Sequence, residues 1–217
     1  MPARAKVVDL RNLLAERFPQ RVAPAATAFS STIAALDAAS GGGLPKNAIT
    51  EVISAQSSAG SATLIHALIA SAWCNENFIA LIDGRDSFDA CALENACLRH
   101  LLWVRCTTAV QAIRAADLLL RDGNFPLVIV DLVLNPLPEL RKIPQTTWYR
   151  LQRLVETVPT ACLVLTRRSM VSSAQLKIVL ENSWSLADLQ SENAAARLRY
   201  RVQRAQRKSA FSDHSAT

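Results

Sequence analysis

Five short runs of aliphatic residues punctuate the chain, at positions 49–54, 78–83, 101–106, 127–131 and 161–166. Each is the length of a strand, and unbroken apolarity marks strands covered on both faces, as in a parallel sheet. Helical spacing fills the intervals. From Ser61 onward Leu64, Ile65, Leu68 and Ile69 fall on one face. Residues 109–120 turn Val110, Ile113, Ala116 and Leu120 inward, and residues 146–158 gather Trp148, Leu151 and Val155 on one side. A further helix is expected over 89–99. A short one over 33–39 has Ser31 or Thr32 available as its cap. Residues 176–180 read as another strand. Residues 197–202 alternate strictly, which predicts a half-buried strand with three arginines on one face. Together these elements predict an α/β fold with a mostly parallel central sheet flanked by helices and antiparallel strands at the C-terminal end.

The ends have a different character. Residues 7–17 space Val7, Leu10, Leu13 and Leu14 as one face of an amphipathic helix, which must bury that face on the main domain or on a partner. Residues 19–29, with Pro19 and Pro24, read as a linker. The expected division is an N-terminal helix and linker over 1–30, one core domain over 31–206 and a disordered polar tail over 207–217.

Composition sharpens this picture at three points. The chain has 217 residues, half of them hydrophobic, which is enough for one well-buried domain. Its net charge of +6 is concentrated near the C-terminus, where Arg197, Arg199, Arg201, Arg204, Arg207 and Lys208 crowd together, as suits contact with a polyanion. The five cysteines are scattered without any C-x-x-C spacing, so no metal site is expected and buried free thiols in a reducing compartment are. The sequence contains neither a signal-peptide core nor a membrane-length apolar run, and a cytoplasmic protein is expected.

The candidate chemistry lies between the first long strand and its helix. Strand, small-residue loop and helix make the layout of a phosphate-binding loop, in which backbone N–H groups and the helix N-terminus face an anion. The motif G-x-x-x-x-G-K-[ST] is absent. Ser54 stands at the first glycine, and Ala59-Gly60 or Gly60-Ser61 stands where the glycine–lysine pair belongs. The candidate nucleotide-binding residues are Ser57, Ser58, Gly60, Ser61, Thr63 and Asp131. Asp131 ends the aliphatic strand 127–131 in the manner of a magnesium-holding aspartate. A loop that merely joins strand to helix, with Asp131 as a loop anchor, is the competing reading. His66 and His100 have no acid–base partner at recognisable spacing and read as structural. Arg167, Arg168, Arg197, Arg199, Arg201 and Arg204 are the candidate DNA-binding residues, set against the alternative of a solvated edge strand guarded by charge.

With these pieces in order, residues 31–206 resemble the RecA-like core. The run Ser31-Thr-Ile-Ala-Ala-Leu-Asp37, then Gly42-Gly43-Leu44-Pro45, then Glu51-Val-Ile is similar to the family's approach to its ATP loop. Ser57-Ser58 match the serine pair inside that loop, Asp83 and Asp89 the aspartates around its catalytic glutamate, and Val128-Ile-Val-Asp131 its Walker B strand. Leu176-Lys177 and the basic strand match later strands. The resemblance implies a P-loop NTPase fold. The short chain and altered loop look most like the ImuA- and SulA-type accessory proteins of bacterial DNA-damage response. That implies an ATPase-deficient adaptor in DNA repair, the SOS response or translesion synthesis. Its implied partners are RecA or a Y-family-polymerase-like protein, with contact to single-stranded DNA. It implies no cofactor beyond weak Mg·ATP binding. Two alternatives stand beside it: an ATP-dependent, recombinase-like DNA-binding protein with an unorthodox loop, and a SulA-type inhibitor of cell division. The departures from the family are the missing lysine, Arg85 in place of the catalytic glutamate, Thr166 or Arg167 in place of the nucleotide-sensing glutamine, and a DNA loop cut to residues 168–175.

Overall fold

A computed structural model describes residues 27–185, 188 and 194–204. The expected helix over 7–17 and the expected tail over 207–217 lie outside the described residues.

Strand β1 (Ala28–Phe29) pairs antiparallel with β2 (Leu44–Pro45), and helix α1 (Ala34–Ser40) lies between them in sequence. Then follow β3 (Ala48–Ile53), α2 (Ser61–Cys74), β4 (Ile79–Asp83), α3 (Asn95–Leu98), β5 (Leu101–Arg105) and α4 (Ala109–Asp122). The chain continues through β6 (Leu127–Asp131), α5 (Leu137–Leu140), α6 (Gln145–Glu156), β7 (Ala161–Thr166), β8 (Leu176–Leu180) and β9 (Tyr200–Arg204). The main sheet has seven strands in the order β5-β4-β6-β7-β3-β8-β9. Strands β3 to β8 run parallel, and β9 returns antiparallel on β8.

The four central strands β4, β6, β7 and β3 are buried almost throughout, because each carries aliphatic side chains on both faces. One core forms where α2, α1 and the β1–β2 pair cover the sheet through Leu64, Leu68, Ile69, Leu36 and Phe29. The other forms under α4 and α6, around Ile113, Leu120, Leu151 and the fully buried Trp148. Since the strands are parallel, all their carboxyl ends open on one edge. Loops on that edge are the places where α/β sheets build sites.

The structure corrects several expectations. In place of a helix over 89–99 there is a 3-10 turn (Ala90–Ala92) followed by the short α3. The Asp89 carboxylate caps the turn by accepting from the Cys91 N–H at 2.9 Å, and Glu94 is extended, which breaks the helix. Strand β5 is an edge strand with Leu102 exposed, not a buried one. Val110 also faces solvent, in the first turn of α4. Helix α1 has no side-chain cap at Ile33. Instead Ser31 Oγ accepts from the Ile33 N–H at 3.2 Å, and the Asp37 carboxylate accepts both the Ser31 N–H and its hydroxyl. Pro136 and Pro138 do not merely break a loop. They sit at the cap and first turn of α5, where a missing N–H leaves no bond unmade. Arg197 belongs to a 3-10 turn (Ala195–Arg197) and not to the last strand. Asn182 donates to the Arg197 carbonyl (3.2 Å) and accepts from the Arg199 N–H (2.6 Å), drawing this stretch out of the ladder. Of the cysteines, Cys97, Cys106 and Cys162 are buried, whereas Cys74 and Cys91 are exposed. Among the described residues no helix is long and apolar enough to cross a membrane.

Candidate nucleotide site

The loop between β3 and α2 turns through two left-handed residues, Ser58 (φ 58°) and Gly60 (φ 104°). Gly60 occupies the N-cap position of α2 without a side-chain cap. A Cβ on it would stand 2.9 Å from Leu198 Cδ1, so both backbone angle and space favour glycine there. The helix begins at the next residue, so the pair at its entry is Gly60-Ser61. Among the described residues, the backbone N–H groups of Ser61, Ala62 and Thr63 donate no backbone hydrogen bond, which leaves a row of donors at the head of a 14-residue helix.

This loop borders a cleft of about 850 Å³. Ser57, Ser58, Ser61, Thr63 and Asp131 all line it, so five of the six predicted nucleotide residues share one space, with Gly60 in the turn behind them. Arg167 lines it too, although the sequence grouped it with the DNA-binding arginines. Strand β7 lies beside β6, so the residue after Thr166 falls next to the loop that follows Asp131. There Arg167 Nε donates to the Val133 carbonyl at 2.9 Å.

Asp131 and Asp83 are register partners on adjacent strands. Asp83 is fully engaged as a loop anchor, accepting from the N–H groups of Arg85 (3.2 Å), Ser87 (2.7 Å) and Phe88 (2.8 Å). Among the described residues, Asp131 accepts only from the Val133 N–H, at 3.0 Å. Burial pushes its carboxyl up to about 6. The Val133 hydrogen bond works against that shift and the neighbouring Asp83 adds to it. His66, also in the cleft, has its pKa lowered by burial, with Asp89 opposing, and its ring meets Phe88 edge-on at 5.6 Å. Arg85 sends its guanidinium to the Thr107 carbonyl (2.9 Å), at the start of α4.

The site's surroundings contain a feature the sequence did not disclose. Glu51, in the middle of β3, is completely buried. Its carboxylate meets Lys177 Nζ at 2.8 Å across the β3–β8 register. It also accepts from the Met170 N–H (2.6 Å), the Val171 N–H (2.9 Å) and the Ser169 hydroxyl (3.2 Å). The loop after β7 is therefore pinned to the sheet by one side chain. The readable signals are a lone glutamate and a lone lysine inside otherwise apolar strands, AITEVI and LKIVL.

Of the remaining candidate arginines, Arg168, Arg197, Arg199 and Arg201 lie toward the carboxyl edge of the sheet, whereas Arg204 is the register partner of Leu176 at the opposite, amino edge. Arg168 follows β7 and is exposed. Arg197 pairs with Asp188 at 2.9 Å, and Arg201 lies 3.5 Å from Glu181. Arg199, just before β9, is exposed. Arg204 ends β9, and its side chain lies outside the described residues. Three strand spacings separate β7 from β9, about 14 Å. The segment carrying Arg197 and Arg199 also touches the loop, because Trp184 N–H donates to the Ser58 carbonyl (3.2 Å) and Leu198 packs over Gly60.

Known proteins match this arrangement. A family model described as the RecA N-terminal domain matches residues 17–143, more than half of the chain. Protein RecA of Corynebacterium aurimucosum is 34% identical over 122 residues, covering 54% of this chain and 32% of that protein. Protein RecA of Methylococcus capsulatus is 37% identical over 111 residues, 49% and 32% of the two chains, and the plasmid RecA of Lactococcus lactis is 33% identical over 118 residues, 52% and 34%. The chain spans about a third of the length of these relatives. With a family model matched over more than half of its length, this chain belongs to the RecA N-terminal domain family.

Proposed function

We propose that this chain is a RecA-like accessory protein of DNA repair that does not turn over ATP. It works in the ImuA-like manner, through protein partners such as RecA or a Y-family-polymerase-like protein, with auxiliary contact to single-stranded DNA. The observation that carries this reading is the polar content of the cleft. Phosphoryl transfer needs a cation on the β/γ-phosphates, a bound metal and a positioned water. Among the described residues the cleft is lined by hydroxyls, Asp131, Asp89, His66 and Arg167 but no lysine, and Arg85 is engaged with Thr107 and contributes no carboxylate.

One observation favours a second reading, ATP-dependent binding without turnover. Arg167 places a guanidinium in the same cleft as the row of N–H donors at the head of α2. Binding of a single-stranded oligonucleotide across a salt series separates the two. On the adaptor reading, millimolar Mg·ATP leaves affinity unchanged. Arg168→Glu with Arg199→Glu lowers the slope of log K against log salt by about 1 per lost phosphate contact. Affinity that rises with Mg·ATP supports the second reading, and a slope untouched by both substitutions assigns these arginines to a solvated edge.

A further inference from the structure

Helices α4 and α6 cover one side of the sheet and turn their outer faces away from the cleft. One carboxylate ties them together. Asp117 of α4 accepts from Arg121 Nε one turn further on (2.8 Å) and lies 3.1 Å from Arg150 Nε of α6. On α4, Arg114, Leu118 and Arg121 stand at i, i+4 and i+7 and so share one row. On α6, Thr146, Arg150 and Arg153 repeat that spacing, with Tyr149 beside them.

Two large apolar side chains stand among these charges. Leu118 is 68% exposed, more than any other large hydrophobic residue described, and Tyr149 is 53% exposed. One comes from each helix, and they flank the ionic bridge: Leu118 follows Asp117, and Tyr149 precedes Arg150. Tyrosine and arginine around an exposed aliphatic anchor make the composition of a binding hot spot.

Charge decides what the face can take. Over 109–121 and 145–155 four arginines face a single carboxylate, Asp117, which two of them already share. Arg114 and Arg153 are exposed, and among the described residues neither has an ion pair. Asp122 and Glu156 close the two helices and bound this basic strip. The ends of the chain do not complement it. Residues 1–26 hold five Lys or Arg against two Asp or Glu, and residues 205–217 hold two against one. A second copy, at net charge +6, brings the same excess. Nucleic acid would satisfy the arginines but gives Leu118 no apolar counterpart.

We infer that the outer face of α4 and α6 docks an acidic, amphipathic segment of another protein. Leu118 and Tyr149 are its apolar anchors, and Arg114 and Arg153 meet the carboxylates of the segment. This deepens the adaptor reading, which supplies the partner, by giving that partner a face and a chemistry.

Fluorescence anisotropy on the full chain tests it with two labelled peptides rich in glutamate and aspartate. One carries leucines at i, i+3, i+4 and i+7, and the other carries serines at those places. The leucine peptide is expected to bind about tenfold more tightly than the serine peptide and to weaken as salt rises. Leu118→Ser, and separately Arg114→Glu with Arg153→Glu, should each lower that affinity by about tenfold. These side chains are exposed, so the melting temperature should stay where it is in the parent chain. Binding of a single-stranded oligonucleotide should be equal in all three proteins. Equal affinity for the two peptides, binding of neither, or affinity untouched by the variants overturns the inference. Loss of oligonucleotide binding in the arginine variant also overturns it and assigns the face to nucleic acid. Phosphate release from Mg·ATP by the same parent sample reports on the adaptor reading alone, so the two failures are told apart.

Discussion

Glu51→Ala is expected to cost about 3–5 kcal/mol of stability, the range for removing one member of a buried, hydrogen-bonded ion pair. Glu51 is wholly enclosed, and its carboxylate is the shared acceptor for Lys177, Ser169 and the N–H groups of Met170 and Val171. Alanine leaves two backbone donors without partners and a lysine facing a sheet from which it cannot fully escape. Each unmet buried donor alone costs about 1–3 kcal/mol. Urea denaturation checks the total through a shift of midpoint at unchanged slope. The loop over 168–175 should loosen first, since Glu51 is what ties it to β3. A loss below about 1 kcal/mol would mean that water replaces these bonds at little cost and that the pin is not structural.

Asp131→Asn is expected to stabilise the protein above pH 6. The folded carboxyl titrates at about 6, against an ordinary value of 3.8. Between those values the folded chain holds a proton that the unfolded chain has released, so this group's contribution to stability is greatest at low pH and declines as pH rises from about 4 to 6. Above that window the ionised carboxylate is a standing cost. A two-unit shift corresponds to about 3 kcal/mol, and solvent at the cleft rim reduces the realised gain to about 2. Asparagine still offers an oxygen to the Val133 N–H but carries no charge against Asp83. Melting curves from pH 4 to 8 should therefore converge at the acid end and diverge in the variant's favour at neutral pH. A variant that is less stable at pH 7.5 would contradict this and would mean that the ionised carboxylate is not a cost to the fold.

The parts of this fold that could be read from the sequence are those where one residue type decides the outcome. LVIVD could only be a buried strand, and helix α6 announced itself through Trp148, Leu151 and Val155 at helical spacing. The loop at 55–60 is equally plain, because small residues between a strand and a helix permit the left-handed turn that Ser58 and Gly60 make. Reading failed where neighbours decide. LLWVR has the apolarity of a core strand, yet it lies at an edge, and composition alone cannot distinguish a covered face from an uncovered one. Arg197 alternates with its neighbours as a strand would, but the Asn182 side chain captures its backbone. Glu51 and Lys177 looked like isolated charges, because their meeting depends on β8 lying next to β3. Arg167 was grouped by charge with the other arginines, and only the order of β6 and β7 puts it in the cleft with Asp131.

On the proposed reading, a RecA-family scaffold retains the shape of a nucleotide site without the charges that drive turnover. Phosphate release from Mg·ATP by the purified full chain, with and without single-stranded DNA, tests it most directly. Release no faster than the protein-free control is expected under both conditions. Sustained turnover that disappears in an Asp131→Ala variant would contradict it.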